Sequence, residues 1–294
     1  MLHLATLKLT VKIMTIIEKH IVIEQQKSVI QAIEQVCQLS HQQIKIAINK
    51  GALWLSRGKY TQRLRRIKKT LLQGDTLHFY YNETVLAQVP NQAELIEDCL
   101  HYSVWYKPYG MLSQGSKWSD HCTITRWSET HLLPERPAFI VHRLDRAATG
   151  LILVAHSKTA AQALTKLFEA RALQKQYHII CLGKLDSESV ITVTEPIDNK
   201  AAKSHFKSLY YDKEKDLSLV EVTIETGRKH QIRKHAAYLD HPVYGDRLYN
   251  KVQVNITTAK NLQLSAAKLN FTCPITAEKK RFILPDHLML SINE

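Results

Sequence analysis

Apolar residues change their period several times along this chain, and each change marks an element. Val29, Ile30, Ile33, Val36 and Cys37 recur at the spacing of one helical face, as do Ile44, Ala47 and Ile48. Ser40 precedes the second set, and its hydroxyl suits the N-cap, where it can accept a first-turn N–H. Lys50-Gly51 ends that helix with a residue free to turn left-handed. Ala52 to Leu55 then reads as a strand, and so does Thr76 to Tyr81 behind the Gly74-Asp75 turn. Further on, Val104 to Gly110 reads as a strand broken by Pro108 and Gly110, and Gly150 to Ala155 as a fully buried strand. Tyr177 to Leu182 is another, closed by Gly183. Val220, Val222 and Ile224 alternate with Glu221, Thr223 and Glu225 in a half-buried strand closed by Gly227. Thr159 and Gln162 form a capping-box pattern for a helix whose apolar face is Ala163, Leu164, Leu167 and Phe168. His230 to Leu239 reads as a helix stopped by His241-Pro242. Strands dominate, so the expectation is an α+β fold. It has a mixed, mainly antiparallel sheet with flanking helices, and a small N-terminal α/β module.

The 294 residues suffice for one large domain or two moderate ones. A net charge of +13 points to a polyanionic partner, nucleic acid ahead of a membrane surface. No apolar run reaches the eighteen or so residues of a membrane span. Five scattered cysteines, with no Cys-x-x-Cys pair, argue against a disulfide framework and a structural zinc site, and suit a reducing cytosol. No His-x-x-x-His pair flanks a glutamate, so no metal is expected. Met1 to Ile17 alternates apolar and polar residues and lacks the features of a secretory signal or transit peptide. It reads as an edge strand or a loose tail, and Met14 offers a second start.

Charge divides the chain. From His41 to Gly74 there are nine Lys or Arg residues and no acid. Glu83 to Leu100, with Pro90, Asn91 and several acids, reads as a linker. The boundaries are an extension over 1–23, a module over 24–83, a linker over 84–98 and a large domain over 99–294.

The order helix, helix, glycine turn, strand, Gly-Asp turn, strand resembles the S-four-type RNA-binding module, over about Lys27 to Asn82. It departs at His41, where an arginine often follows the serine, and Arg57 to Lys69 is more basic than the pattern requires. The resemblance implies RNA contact through Lys45, Lys50, Arg57, Arg63, Arg65 and Arg66; a solvated basic face is the blander alternative.

The stretch from His142 to Leu153 sets the carboxylate of Asp145 beside Arg143 and Arg146, just ahead of the buried strand. A carboxylate held at such a junction by a guanidinium can stay ionised and face a cleft. Tyr177 follows Lys175-Gln176 at a strand start, and Arg233 lies on the first turn of a helix. Together with Tyr106 to Gly110, Thr226 to Arg233, His241 to Asp246 and Leu264 to Phe271, these segments resemble the large-subunit (RluA-type) pseudouridine synthase family over roughly Val104 to Phe282.

That resemblance implies isomerisation of uridine to pseudouridine in RNA without cofactor or metal. Asp145 would act as nucleophile, at the ribose carbon or at carbon 6 of the ring, or as a base on the sugar. Arg233 would hold it ionised. Tyr177 would stack beside the uracil and help remove the carbon 5 proton, provided the pocket lowers a phenol pKa of about 10. Arg143 would fill the stem gap or grip phosphate when the base is flipped out. Leu264 would pack on the uracil, and Lys107 and Arg228 complete the substrate-binding set. His142 and His230 read as structural hydrogen-bonders. Departures fall at Ala148-Thr149, Gln114-Gly115, Lys229, Lys234 and Ser265, none of which removes the three central residues. The expectation is a cytoplasmic, monomeric enzyme acting on large-subunit ribosomal RNA, with transfer RNA second. The competing class is a non-catalytic RNA-binding or ribosome-assembly factor.

Overall fold

The computed structural model describes residues 15–185, 189–250 and 260–292. The expectations for residues 1–14, including a start at Met14, lie outside the described residues. The chain divides into two compact units, one built from 1–89 with 115–121, the other from 90–114 with 122–294.

In the first unit, strands β1 (Ile16–Val22), β2 (Lys27–Ser28), β3 (Leu53–Arg57), β4 (Tyr60–Arg63), β5 (Thr70–Leu71) and β6 (Thr76–Asn82) accompany helices α1 (Val29–Glu34), α2 (His41–Asn49) and α3 (Glu83–Leu86). The main sheet runs β1-β6-β3-β4, all antiparallel, and β2 pairs with β5. Alternation along β6 buries Leu77, Phe79 and Tyr81 against Val29, Ile33, Ile44, Ile48 and Leu53. Ser40 caps α2 as expected: its Oγ accepts Gln43 N–H at 3.2 Å, and Gln43 Oε1 accepts Ser40 N–H at 2.8 Å. Ser28 and Gln31 do the same for α1. Gly51, just past α2, has φ +86°, a conformation that a side chain resists. The sheet begins at Ile16, inside the stretch read as an extension, because β1 pairs with β6 along seven residues.

The second unit is the mixed, mainly antiparallel α+β domain. Its strands are β7 (Glu94–Asp98), β8 (Tyr102–Lys107), β9 (Phe139–Ile140), β10 (Thr149–Ala155), β11 (Leu173–Leu182), β12 (Ile191–Val193), β13 (Ser204–Asp212), β14 (Leu217–Ile224), β15 (Leu264–Thr272) and β16 (Lys279–Ile283). Its helices are α4 (Ile124–His131), α5 (Lys158–Glu169) and α6 (Gln231–Tyr238). The sheet order is β12-β13-β14-β11-β15-β10-β8-β7, with β16 on β15 and β9 on β10. Among the described strands of this sheet, only the β10–β15 pairing is parallel. There Gly150, at φ +105°, lies so close to the Ala266 backbone that a Cβ would overlap it. That approach joins the strand after Asp145 to the strand carrying Leu264.

Two readings of the pattern are corrected. The stretch read as a linker contains α3 and β7, and β7 pairs with β8 at the sheet edge. Its residues are exposed or half-buried, so an edge strand with Glu94, Glu97 and Asp98 shows no apolar alternation. The cap of α5 is Ser157, whose Oγ accepts Ala160 N–H at 3.0 Å, so the helix starts one residue before Thr159.

Candidate active site

Asp145 lies on the loop leading into β10. Ser113 Oγ accepts Leu144 N–H and donates to Leu144 C=O, at 3.0 and 2.8 Å, and Arg146 C=O accepts Gly110 N–H at 2.9 Å. His142 reaches forward, its Nε2 accepting Leu153 N–H at 2.9 Å while the ring stacks on Phe168. Burial, then the nearby Lys175 charge, pulls His142 down to about 3. It is neutral, a structural hydrogen-bonder. These contacts pin the loop at both ends and leave the Asp145 side chain 30% exposed.

That carboxylate faces a cleft of about 800 Å³ whose lining includes Arg143, Tyr177, Arg228, His230 and Leu264. Tyr177 comes from β11, beside a bulge between Gln176 and Tyr177, and Leu264 opens β15. Acid, phenol and apolar floor therefore arrive from the loop leading into β10 and from two strands of the same sheet. Arg233 stands behind them, 6% exposed, with Nη1 3.8 Å from Asp145 Oδ2.

The closest partner of Arg233 is another acid. Nε and Nη2 each donate to Asp246 at 2.7 Å, a two-pronged pair with a carboxylate that is fully buried. Burial pushes Asp246 up, but the Arg233 hydrogen bond and the Leu248 N–H outweigh it and hold the carboxyl below its usual range. Burial likewise opposes the charge on Arg233, and Asp246 restores it. The guanidinium is thus fixed by Asp246 and offers its remaining edge to Asp145. Sequence reading placed Asp246 in a motif but gave it no role.

His230 also joins the site. Its backbone is left-handed (φ +56°), its Nδ1 is 2.8 Å from the Tyr249 hydroxyl and its Nε2 is 3.7 Å from Asp145 Oδ2. Burial lowers its pKa against the opposing attraction of Asp145. The start of α6 is anchored by the buried Gln231, whose Oε1 accepts from Thr226 and Arg228 N–H while its amide donates to Lys203 C=O and Ser204. Neither Gln231 nor Tyr249 carried a signal beyond lying in or near a motif.

Two expectations change. Burial, reinforced by the Asp145 charge, raises the Tyr177 phenol well above its ordinary value, so the pocket makes it a weaker base. Lys107 is fully buried and does not line the cleft; its ammonium donates to Pro108 C=O at 3.1 Å and Met111 C=O at 2.9 Å. Burial pulls it down to about 7 against the opposing attraction of Asp145. Arg228 does line the cleft, with its Nε on Ala201 C=O at 3.0 Å.

In the first unit, the basic residues divide. Arg57 is forked onto the buried Asp75 at 2.7 and 2.6 Å. Arg63 and Arg65 pair with Asp120, Arg63 also lies over Trp54, and Lys50 donates to Leu86 C=O. Lys45 and Arg66 are exposed.

Residues 101–238 match the RNA pseudouridylate synthase family. A tRNA pseudouridine synthase C from Pectobacterium carotovorum subsp. carotovorum is 30% identical over 168 residues, 48% of this chain and 45% of the relative. A ribosomal large subunit pseudouridine synthase D from Blochmanniella floridana is 36% identical over 126 residues, 39% of each. The chain thus spans less than half the length of these two curated relatives. The solved structure of human RNA pseudouridylate synthase domain containing 1 shares the fold. Its TM-score is 0.58 at 21% identity, over 69% of this chain and 88% of that one. Among the described residues, no helix is long and apolar enough to cross a membrane.

Proposed function

We propose that this protein isomerises uridine to pseudouridine in RNA, with the second unit as the catalytic domain and the first as an S-four-type RNA-binding module. One observation carries the reading: Asp145, Tyr177 and Leu264 line one cleft while Arg233, fixed by Asp246, backs the carboxylate. The reaction breaks the bond from ribose carbon 1′ to uracil nitrogen 1 and forms one from carbon 1′ to carbon 5. Carbon 5 loses a proton and nitrogen 1 gains one, so atoms balance without a co-reactant. Asp145 acts as the nucleophile or sugar base. Tyr177 packs beside the extruded uracil with its proton retained, as its raised pKa requires, and Leu264 meets the ring. Arg143, exposed at the cleft rim, grips phosphate.

The substrate proposed first is large-subunit ribosomal RNA, as the name of the Blochmanniella relative suggests, with transfer RNA second. The excess of positive charge supplies salt-dependent affinity, and the cleft selects the uridine. The enzyme is placed in the cytoplasm as a monomer. The test is a pseudouridine map of cellular RNA with and without the gene. Loss of modification at defined uridines is expected; an unchanged map with a ribosome-assembly defect would replace the enzyme with an assembly factor.

A further inference from the structure

The first unit holds a second concave site, remote in sequence from the catalytic residues. A cleft of about 730 Å³ is lined by Arg57, Arg65, Arg66, Lys68 and Lys69 with three uncharged residues, Ile67, Thr70 and Leu72. No Asp or Glu among the described residues lines it. Asp75 and Asp120 balance Arg57 and Arg65, whereas Arg66, Lys68 and Lys69 present their charge to solvent, a lining that favours an anion. Two structural features show that the cations are organised rather than merely crowded. Asp75, 2% exposed, takes Nε and Nη2 of Arg57 and also accepts Leu72 N–H at 2.9 Å, tying the guanidinium to the far end of the same loop. The Arg65 guanidinium is held by Asp120 and by Asn49 C=O. Arg66, Lys68 and Lys69 lie between these anchors and are exposed.

The aromatic neighbour matters too. Tyr60 pairs with Arg57 across the β3–β4 hairpin, which puts both side chains on one face of the sheet, and Tyr60 is 82% exposed. An exposed phenol ring beside fixed and mobile cations has the composition of a surface for a single-stranded polynucleotide: phosphates meet the cations, and one base stacks on the ring. An anionic membrane would be served by the cations alone and would gain little from one ring at a hairpin end.

We propose that this cleft is a backbone-binding site for single-stranded RNA, in which Arg66, Lys68 and Lys69 neutralise phosphates, Arg57 is the preset anchor and Tyr60 stacks a base. This rests on the RNA-directed function proposed above but assigns the phosphate contacts to the exposed cations of the loop after β4, with Arg57 at the end of β3 beside them, rather than to helix α2.

The test measures binding of the full-length protein to a 30-nucleotide oligoadenylate, which offers phosphates and bases but no uridine to convert. The triple variant Arg66→Gln, Lys68→Gln, Lys69→Gln is compared with a charge-matched control, Lys158→Gln, Lys213→Gln, Lys279→Gln. Each phosphate contact contributes about 0.7 to the slope of log affinity against log salt for a single strand, so the triple variant should lose about 2 from that slope, and the control nothing. Between 50 and 200 mM salt, a slope smaller by about 2 means roughly a 16-fold smaller loss of affinity. Tyr60→Ala should weaken binding by about fivefold or more without altering the slope. Should the triple variant not fold, each single substitution should take about 0.7 from the slope. An unchanged slope in folded variants overturns the site, even if the wild type modifies RNA. Equal loss in the control overturns it as well. Equal competition by anionic phospholipid vesicles of matched charge would give the cleft to a membrane. Failure of the wild type to form pseudouridine in any RNA would instead sink the functional reading, with the oligoadenylate result standing on its own.

Discussion

Asp246→Asn is the perturbation that most sharply separates holding the site from forming it. In the native protein, a fully buried carboxylate receives two Arg233 hydrogen bonds at 2.7 Å and two backbone N–H groups, from Leu248 and Tyr249, at 2.8 and 3.2 Å. Removing one partner's charge from a buried ion pair costs about 3–5 kcal/mol, because the other charge stays desolvated. The amide oxygen still accepts, which returns about 1 kcal/mol, so a loss of about 2–4 kcal/mol in unfolding free energy is expected. The effect on chemistry passes through Arg233. At an effective dielectric of about 20, a guanidinium 3.8 Å from Asp145 attracts it by about 4 kcal/mol. Releasing its Nε fork and letting it drift by about 1.5 Å weakens this by about 1 kcal/mol, less where solvent screens the partly exposed Asp145. Turnover number should therefore fall by roughly fivefold to tenfold, with RNA affinity within about twofold of wild type. Denaturant melts, single-turnover pseudouridine assays and filter binding measure the three quantities. Full stability together with full turnover would refute the claim that Asp246 fixes Arg233 for Asp145.

Three further outcomes follow from the same geometry. Because Tyr177 keeps its proton well past the ordinary phenol range, kcat should show no rise between pH 8 and 9 from phenolate formation, and Tyr177→Phe should leave the profile's shape intact; a limb that vanishes in the variant would contradict this. Lys107 releases its proton near pH 7 in the native state but near 10.5 in the unfolded chain, so between those values the unfolded state holds the extra proton and stability rises with pH, by at most about 1.4 kcal/mol per unit. Lys107→Met should abolish that component in urea melts at pH 7 to 9, and an unchanged pH slope would show that the amine is not desolvated. Leu264→Ala, emptying the cleft floor, should destabilise by about 2–4 kcal/mol and raise KM more than it lowers kcat, as steady-state assays would report.

Legibility followed burial. Elements with one face in a core were readable because their apolar residues carry the period: α2 behind Ser40, the strand from Thr76, the run from Gly150. β7 was not, since an edge strand with only Ile96 half-buried carries no apolar alternation. Asp145, Tyr177 and Arg233 were legible as motif members, and the fold sets two of them around a cleft with the third behind. Asp246 was hidden because its partner lies 13 residues away on a helix, and pairing across that interval leaves no local pattern. Lys107 misled for the opposite reason. A lysine in a motif suggests a hand reaching for substrate, whereas the chain turns it inward onto two carbonyls. The basic block misled in part, since Asp75 and Asp120, one beyond the block and one much further along, claim three of its arginines.

Replacing a single oxygen of Asp145 probes the central claim most directly. Asp145→Asn changes neither size nor the Arg233–Asp246 pair, and it removes only the charge and nucleophilicity facing the cleft. In a single-turnover reaction with RNA bound to saturation, the account predicts no pseudouridine above background and a dissociation constant close to that of wild type. Pseudouridine formation at a wild-type rate in that variant would contradict it.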